Sequence, residues 1–129
     1  MHFHHVGVAC GDLDVDERAF AALGYARERD ECVDPIQNVR ARFLVGPGPR
    51  VELVCDLEPG GLVSDLVKRG VKVYHFAYEV DDLDDAERRL SEAGGKQVVA
   101  RAPGAAFGMR MLCFYALPNM VLIELISRT

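Results

Sequence analysis

Hydrophobic and polar positions alternate in several short stretches of the chain and recur at helical spacing in others. Alternation over residues 3–9 predicts a strand. A stretch of helical periodicity follows, with Asp12 as its predicted cap and Gly24 as its end. Three short strands come next, at residues 25–32, 39–45 and 50–55. The first part of the chain is therefore predicted to be a βαβββ module.

The same order of elements returns later in the chain. A strand is predicted at 73–80, then a helix from its cap Asp82 to Gly94. Further strands are predicted at 96–100, 111–115 and 120–126, and a short amphipathic helix at 62–68. We therefore expect an α+β fold of two tandem βαβββ modules that form a curved mixed sheet, a half-barrel cup with its helices outside. The modules are residues 1–57 and 73–129, the linker is 58–72, and together they make one domain.

The two predicted modules are also related in sequence. The segment HHVGVACGDLDVDERAFAALG is matched without gaps by YHFAYEVDDLDDAERRLSEAG at an offset of 70 residues, which aligns His5 with His75. Further along, VELV is matched by IELI at an offset of 72, which aligns Glu52 with Glu124. A repeated supersecondary unit of this kind indicates an internal duplication.

Strand alternation predicts where these four side chains point. The faces that carry His5 and His75 are otherwise lined by glycine and alanine, whereas the opposite faces are bulky and are expected to pack under the helices. Glu52 and Glu124 alternate with apolar residues and point to the same side as the histidines. A carboxylate in such surroundings is costly unless a cation or hydrogen bonds meet it.

Two imidazoles and two carboxylates are a suitable ligand set for one divalent ion of zinc, nickel, cobalt, manganese or iron. A lone strand histidine or glutamate is usually structural, but the repeated pattern favours metal ligands. Four ligands leave an octahedral ion with two open positions, at which neighbouring substrate oxygens bind and an enolate is stabilised. We therefore predict His5, Glu52, His75 and Glu124 as metal ligands, and Glu52 and Glu124 as the catalytic residues that move a proton.

Composition and charge narrow the range of partners. The 129 residues are 50% hydrophobic and carry a net charge of −5 without a basic run, which argues against nucleic acid and anionic membranes. The apolar stretches are too short to span a bilayer, the N-terminus lacks signal-peptide features, and the four cysteines show no CxxC spacing. We expect a cytoplasmic homodimer with reduced thiols and a small-molecule substrate. The residues leave open whether the modules pair within one chain, which we favour, or across the dimer.

With these motifs, the chain resembles the vicinal oxygen chelate superfamily. The resemblance rests on paired βαβββ modules with HVG in the first strand, VEL in the fourth, YHFAYEVDDL at the fifth and LIEL in the last. That superfamily includes glyoxalase I, methylmalonyl-CoA epimerase, extradiol dioxygenases, fosfomycin-resistance thiol transferases and bleomycin-resistance proteins. The resemblance implies metal ligands at the same two histidines and two glutamates.

The ligand set also bears on the branch of the superfamily. The bleomycin-resistance branch typically lacks these ligands, and the dioxygenase and fosfomycin branches use only two histidines and one glutamate. Glyoxalase I keeps four ligands, whereas the epimerase has glutamine in place of Glu52. The phrases YHFAYEVDDLDDAERRL and FYALPNMVLIELI are nearer to the epimerase-like branch. The second catalytic glutamate of that branch, however, falls on Ala41 in this chain, and the glutathione-binding residues of glyoxalase I find no match.

The resemblance therefore implies a metal-dependent isomerase or lyase of the glyoxalase I or methylmalonyl-CoA epimerase type, acting on a small carbonyl compound through a metal-stabilised enolate. A non-catalytic binding or resistance protein would need no metal, and an Fe(II) dioxygenase would consume oxygen. Arginine and amide side chains suit anionic or carbonyl groups, and Phe107 lies in a glycine-bearing loop, either as a residue of a lid or as a hydrophobic plug. The candidate substrate contacts are Gln37, Arg40, Arg42, Phe107, Arg110 and Asn119.

Overall fold

The computed structural model describes residues 1–129 and confirms an α+β fold of three α-helices and nine strands in mixed sheet. The helices are α1 (Leu13–Ala21), α2 (Leu62–Lys68) and α3 (Leu83–Glu92). The strands are β1 (His2–Ala9), β2 (Ala26–Arg27), β3 (Cys32–Asp34), β4 (Val39–Val45), β5 (Val51–Asp56), β6 (Val73–Val80), β7 (Lys96–Gly104), β8 (Arg110–Ala116) and β9 (Leu122–Ser127). None of the helices has the length and apolar character that crossing a bilayer requires.

The structure departs from the predicted elements at two places. The strand expected at 25–32 is two short strands, β2 and β3, because the residues between them are charged and offer no apolar face to bury. In the second half, β7 continues to Gly104, and a turn of 3₁₀ helix at Ala105–Phe107 follows it. The glycine-bearing segment 103–108, expected to be a loop around Phe107, is therefore largely regular structure.

The chain divides into two compact units. The first unit comprises His5–Tyr74, and the second comprises Met1–His4 with His75–Thr129. Strand β1 thus contributes its first residues to the second unit and the rest to the first. The segment predicted as a linker, 58–72, lies in the first unit, and its helix α2 buries Val63 against Ala9 and Val54.

In the first unit the strands lie in the order β2-β4-β5-β1, and β3 also pairs with β4. Strand β5 runs parallel to β1 and antiparallel to β4. The α1 side of this sheet carries a core in which Leu13 meets apolar residues of β1, β4 and β5, including Val8 and Leu53. Burial of each such side chain contributes about 1.5–3 kcal/mol. The side chains that alternate with this core point to the opposite face, where Glu52 lies.

The second unit repeats this plan, with the strand order β6-β9-β8-β7. Strand β9 runs parallel to β6 and antiparallel to β8. On the α3 side, Leu83 and Ala86 pack against the apolar faces of β6, β8 and β9. Asp12 and Asp82 cap α1 and α3 as predicted, since their carboxylates accept hydrogen bonds from the N–H groups of Asp14 and Asp85.

Candidate metal centre

In the first unit, strand register brings a histidine and a glutamate together. Gly7 of β1 lies beside Glu52 of β5, and His5, two residues earlier, points to the same face. The Nε2 atom of His5 is 3.1 Å from Oε1 of Glu52. Both residues are buried, with His5 at 0% exposure and Glu52 at 7%. The pairing of parallel strands thus accounts for a contact between residues far apart in sequence.

The second unit builds the same pair with the same register. Ala77 of β6 lies beside Glu124 of β9, and His75 again precedes the paired residue by two positions. The Nε2 atom of His75 is 3.3 Å from Oε1 of Glu124. These residues are also buried, at 2% and 3% exposure. The duplicated sequence therefore produces a duplicated His–Glu geometry.

Each pair also has an aromatic neighbour that the sequence comparison missed. Phe43 of β4 lies opposite Glu52, and its ring makes an edge-to-face contact with His5 at 5.3 Å between centroids. Phe114 of β8 lies opposite Glu124 and makes the same contact with His75, also at 5.3 Å. An alignment of the β4 and β8 segments at an offset of 71 would have found them.

The donor atoms fit a divalent metal ion. Each unit offers one histidine and one glutamate as candidate ligands, His5 with Glu52 and His75 with Glu124, and imidazole nitrogen with carboxylate oxygen suits the transition metals named above. Bonds of about 2.1 Å at right angles place adjacent ligand atoms about 3 Å apart, which is close to the His–Glu separation in both units. A cation would also compensate the two buried carboxylates.

Two of the candidate substrate residues, Arg40 and Arg42, lie on the opposite face of the first unit's sheet. Arg42 is paired in register with Leu53, a residue of the α1-side core, and its guanidinium donates to Asp14, Glu17 and Glu31 at 2.7–2.9 Å. Arg42 is the main cause of the lowered pKa of both Asp14 and Glu31. Arg40 donates to Glu31 at 3.2 Å. These arginines hold the β3 region and α1 to the sheet, and their contact with a substrate stays a prediction.

Gln37 and Asn119 lie in connecting turns. The backbone N–H of Gln37 donates to the carboxylate of Asp34, a buried residue that shapes the turn between β3 and β4. The side-chain oxygen of Asn119 accepts from the N–H of Val121 and orders the turn between β8 and β9. The contacts observed for both residues are structural, so a role in binding stays a prediction.

Arg110 lies on the same face of the second unit's sheet as Glu124. Along β8 and β9, both residues alternate with the apolar side chains that pack under α3. Its guanidinium donates to Glu79 at 2.7 Å, and to the carbonyls of Phe107 and Ser127 at 3.0 Å each. Phe107 is buried, and its ring contacts that of His4. In the first unit, the region that aligns with this Arg110 cluster is an apolar contact of α2 with β1 and β5. The two units therefore differ at this place, because only the second has a charged cluster there.

Two further residues beside the first pair were missed by sequence reasoning. The guanidinium carbon of Arg29 lies 4.6 Å from the centre of the Phe43 ring. Cys32 of β3 lies opposite Ala41 of β4, on the face that carries Glu52. Burial raises the pKa of the Cys32 thiol, the charge of Arg29 lowers it, and nearby carboxylates including Glu52 raise it. Neither residue belongs to an alternating pattern, so the sequence offered no signal.

The cysteines are free thiols, as expected. Cys10 and Cys113 are buried in the cores of the first and second units, and burial is the main cause that raises the pKa of each to about 12. The raised pKa favours the protonated, neutral thiol of both residues at physiological pH.

Comparison with known proteins agrees with the resemblance drawn from the sequence. Residues 4–114 match the family described as the Glyoxalase/Bleomycin resistance protein/Dioxygenase superfamily. The ethylmalonyl-CoA/methylmalonyl-CoA epimerase of Cereibacter sphaeroides is 26% identical over 102 residues, which cover 78% of this chain and 76% of that protein.

Solved structures give the same result. The methylmalonyl-CoA epimerase from Mycobacterium tuberculosis is similar at 30% identity with a TM-score of 0.80, over 99% of this chain and 88% of that one. A variant of the Streptomyces coelicolor methylmalonyl-CoA epimerase, in complex with 2-nitronate-propionyl-CoA, shares the fold at 23% identity with a TM-score of 0.75, over 98% and 96% of the two chains.

Proposed function

Because the chain belongs to the Glyoxalase/Bleomycin resistance protein/Dioxygenase superfamily, we propose that it is a metal-dependent epimerase of an acyl thioester. Relatives that match most of its length are named as acyl-CoA epimerases, which favours this activity over a glyoxalase I type of lyase. Its substrate is then a small carbonyl compound with an acidic hydrogen on the carbon beside the thioester. The observation that carries the proposal is the His–Glu pair built identically in both units.

We propose that His5, Glu52, His75 and Glu124 hold one divalent ion between them. The duplication supports this arrangement, because a protein that repeats a buried His–Glu pair repeats half of a four-ligand set. Two carboxylates balance the charge of the ion. When bound, the ion supplies a Lewis acid that polarises the thioester carbonyl and makes the neighbouring C–H more acidic.

The chain's own residues supply the proton transfer. One glutamate of the two pairs, Glu52 or Glu124, removes the proton from the carbon beside the carbonyl, and the other, in its protonated form, returns a proton to the opposite face and so inverts that centre. Ala41 lies on the same face as Glu52, since it is paired with Val54, but its methyl group accepts no proton. Proton transfer therefore falls to the paired glutamates.

Metal analysis combined with isotope exchange tests the proposal. Purified protein loaded with cobalt, nickel, manganese or zinc is incubated with methylmalonyl-CoA in D₂O, and deuterium on the substrate is followed by NMR. We expect exchange that needs the metal, and loss of both metal and exchange in His75→Ala and Glu124→Ala. His2→Ala, which removes an exposed imidazole near the start of β1, is the matched control and keeps both.

The outcome separates the rival functions. Full metal content in both ligand variants contradicts the metal site. Binding of the acyl-CoA without exchange at any metal favours a sequestering protein, and oxygen consumption with catechols favours a dioxygenase.

A further inference from the structure

We infer that Phe43 and Phe114 are positioning residues of the proposed metal centre. Each ring holds the imidazole of its own unit, His5 or His75, turned towards the paired glutamate, so that the imidazole nitrogen and the carboxylate are in place before an ion binds. The inference rests on the proposed function, because it assigns a role to two more residues of the same site.

The sequences of the two strands that carry these rings support such a role. Strands β4 (VRARFLV) and β8 (RMLCFYA) have equivalent places in their units and align at an offset of 71. In this alignment Phe43 matches Phe114, whereas none of the other positions is identical, and Arg42 even matches Cys113. The duplication has therefore kept the aromatic ring while the rest of the strand has changed.

The position of each ring follows from strand register. Phe43 lies directly opposite Glu52, and Phe114 directly opposite Glu124. Cross-strand neighbours of this kind share one face of the sheet, with their Cβ atoms about 5 Å apart. The neighbour on the other side of each glutamate is a glycine or an alanine. Of the two cross-strand neighbours of each glutamate, one is therefore a large ring and the other leaves space beside the carboxylate.

The imidazoles reach these rings by leaning across the middle strand. His5 is on β1 and Phe43 on β4, with β5 between them, yet the ring centroids are 5.3 Å apart and the ring planes are at 84°. His75 and Phe114 repeat this arrangement across β9, at 5.3 Å and 89°. Side chains that stood upright on strands two places apart would be separated by about 10 Å. Each imidazole therefore leans towards the middle strand, which carries the glutamate.

The leaning orientation gives each pair its geometry. The Nε2 atoms of His5 and His75 lie 3.1 and 3.3 Å from the glutamate oxygens, and both imidazoles are buried. Edge-to-face contacts have a preferred geometry and stabilise it beyond the area that they bury. The aromatic ring thus limits how far the imidazole can turn. Partners that orient a metal-ligating histidine commonly strengthen metal binding.

The orientation of the imidazoles can be measured without metal. In isotopically labelled, metal-free protein, three-bond N–Cγ couplings report whether a histidine occupies one χ1 rotamer. We expect one rotamer for His75 in wild type and averaged couplings in Phe114→Leu, which keeps an apolar side chain but removes the ring. Phe114→Tyr retains the ring and should behave as wild type. Phe43→Leu should have the same effect on His5.

Cobalt binding measures what this orientation contributes to the site. Dissociation constants for Co²⁺, obtained by calorimetry, should be about 3- to 10-fold larger in each Leu variant, which is the effect expected for one edge-to-face contact. The visible absorption of bound Co²⁺ depends on ligand geometry and should change in the same variants. Phe114→Tyr should restore both the affinity and the spectrum.

The first unit offers a matched control on the other side of its sheet. Phe20 contacts the ring of Tyr25 at 5.3 Å and 81°, and both residues pack against the α1-side core. Phe20→Leu therefore removes a ring contact of the same kind at the same distance. It should leave the histidine couplings, the cobalt affinity and the cobalt spectrum as in wild type.

Other results would overturn the inference. Unchanged couplings in both Leu variants would show that the rings do not orient the imidazoles, and unchanged cobalt affinity despite averaged couplings would show that the orientation does not serve the metal. Phe114, whose ring is less deeply buried, decides the test if Phe43→Leu does not fold. If wild type binds no cobalt but the couplings respond as expected, the positioning of the imidazoles stands and the proposed metal-dependent function fails.

Discussion

At the scale of single residues, the two paired glutamates have equivalent positions but need not have equivalent chemistry. Glu52 and Glu124 are both buried beside a histidine, at 3.1 and 3.3 Å. In the epimerase branch that the sequence resembles, glutamine replaces the residue at Glu52. A glutamine oxygen still binds a metal, but the amide group accepts no proton. The proton acceptor of an epimerase is therefore expected at Glu124.

This difference predicts the behaviour of the isosteric variants. Glu52→Gln should retain the metal and most of the deuterium exchange into methylmalonyl-CoA. Glu124→Gln should slow exchange about 100-fold or more, because a positioned general base contributes about 10²–10⁴ to the rate. Exchange rates are measured at saturating metal, so that weaker metal binding is not mistaken for lost chemistry. The opposite ranking of the variants would assign the base to Glu52 and favour a glyoxalase-like mechanism.

The ion pair between Glu79 and Arg110 predicts a pH dependence of stability in the second unit. A hydrogen bond from Arg110 is the main cause that lowers the pKa of Glu79 below its usual 4.5. The contribution is therefore present above pH 4.5 and is lost as the pH falls through the lower pKa of the folded state.

Removal of the guanidinium should show this contribution directly. With EDTA present at pH 7, Arg110→Met should unfold at a lower urea concentration than wild type. The expected loss in the free energy of unfolding is about 1 kcal/mol, because the pair is partly exposed, and this loss should shrink near pH 3. Arg69→Met provides the control, since it removes an exposed pair with Asp65, in which both side chains are 61% exposed. A difference between wild type and Arg110→Met that is constant with pH would show that packing on Phe107, rather than charge, stabilises the unit.

At the scale of elements, α1 and α3 both begin with an aspartate N-cap. The Asp12 carboxylate accepts from Asp14 N–H at 2.8 Å, and that of Asp82 from Asp85 N–H at 3.1 Å. Asp82→Ala should lower the free energy of unfolding by about 1 kcal/mol, whereas Asp82→Asn, which keeps the acceptor, should cost much less. Urea titrations would measure both. Equal losses would attribute the effect to the charge near the helix terminus instead of the cap.

The caps also show how much of the fold the sequence could predict. Helix α2 was placed at its observed bounds, and both caps were identified, because these features are determined by residues close in sequence. The prediction of a single strand at 25–32 was wrong, because its charged residues are positioned by residues distant in sequence. Arg27, for example, contacts Glu17 of α1, and Arg29 contacts the ring of Phe43 on β4.

The same distinction applies to the site. The histidines and glutamates could be found because the duplication repeats them and strand periodicity orients them. Arg29 could not, because a ring on a neighbouring strand fixes its position. Arg42, conversely, was a reasonable candidate by type, and the structure shows it to be surrounded by acidic side chains on the α1 side.

At the scale of the whole molecule, each compact unit carries a thiol in its own core. Cys10 belongs to the core of the first unit and Cys113 to that of the second, at 2% and 0% exposure. Both have a pKa raised to about 12, chiefly by burial. Since the folded-state pKa is the higher one, the associated stability is fully present below pH 9 and is lost as the pH rises towards 12.

These thiols should report the opening of the two units separately. In native protein at pH 8, we expect iodoacetamide to label the half-buried Cys32 and Cys55 first, and Cys10 and Cys113 only on unfolding. Mass spectrometry of peptides gives the rate at each site as urea increases. If Cys10 and Cys113 become labelled at the same urea concentration, the units unfold as one cooperative structure. If they do not, the thiol that needs more urea identifies the more stable unit. Labelling of Cys10 or Cys113 as fast as Cys32 without denaturant would contradict the core positions of these thiols.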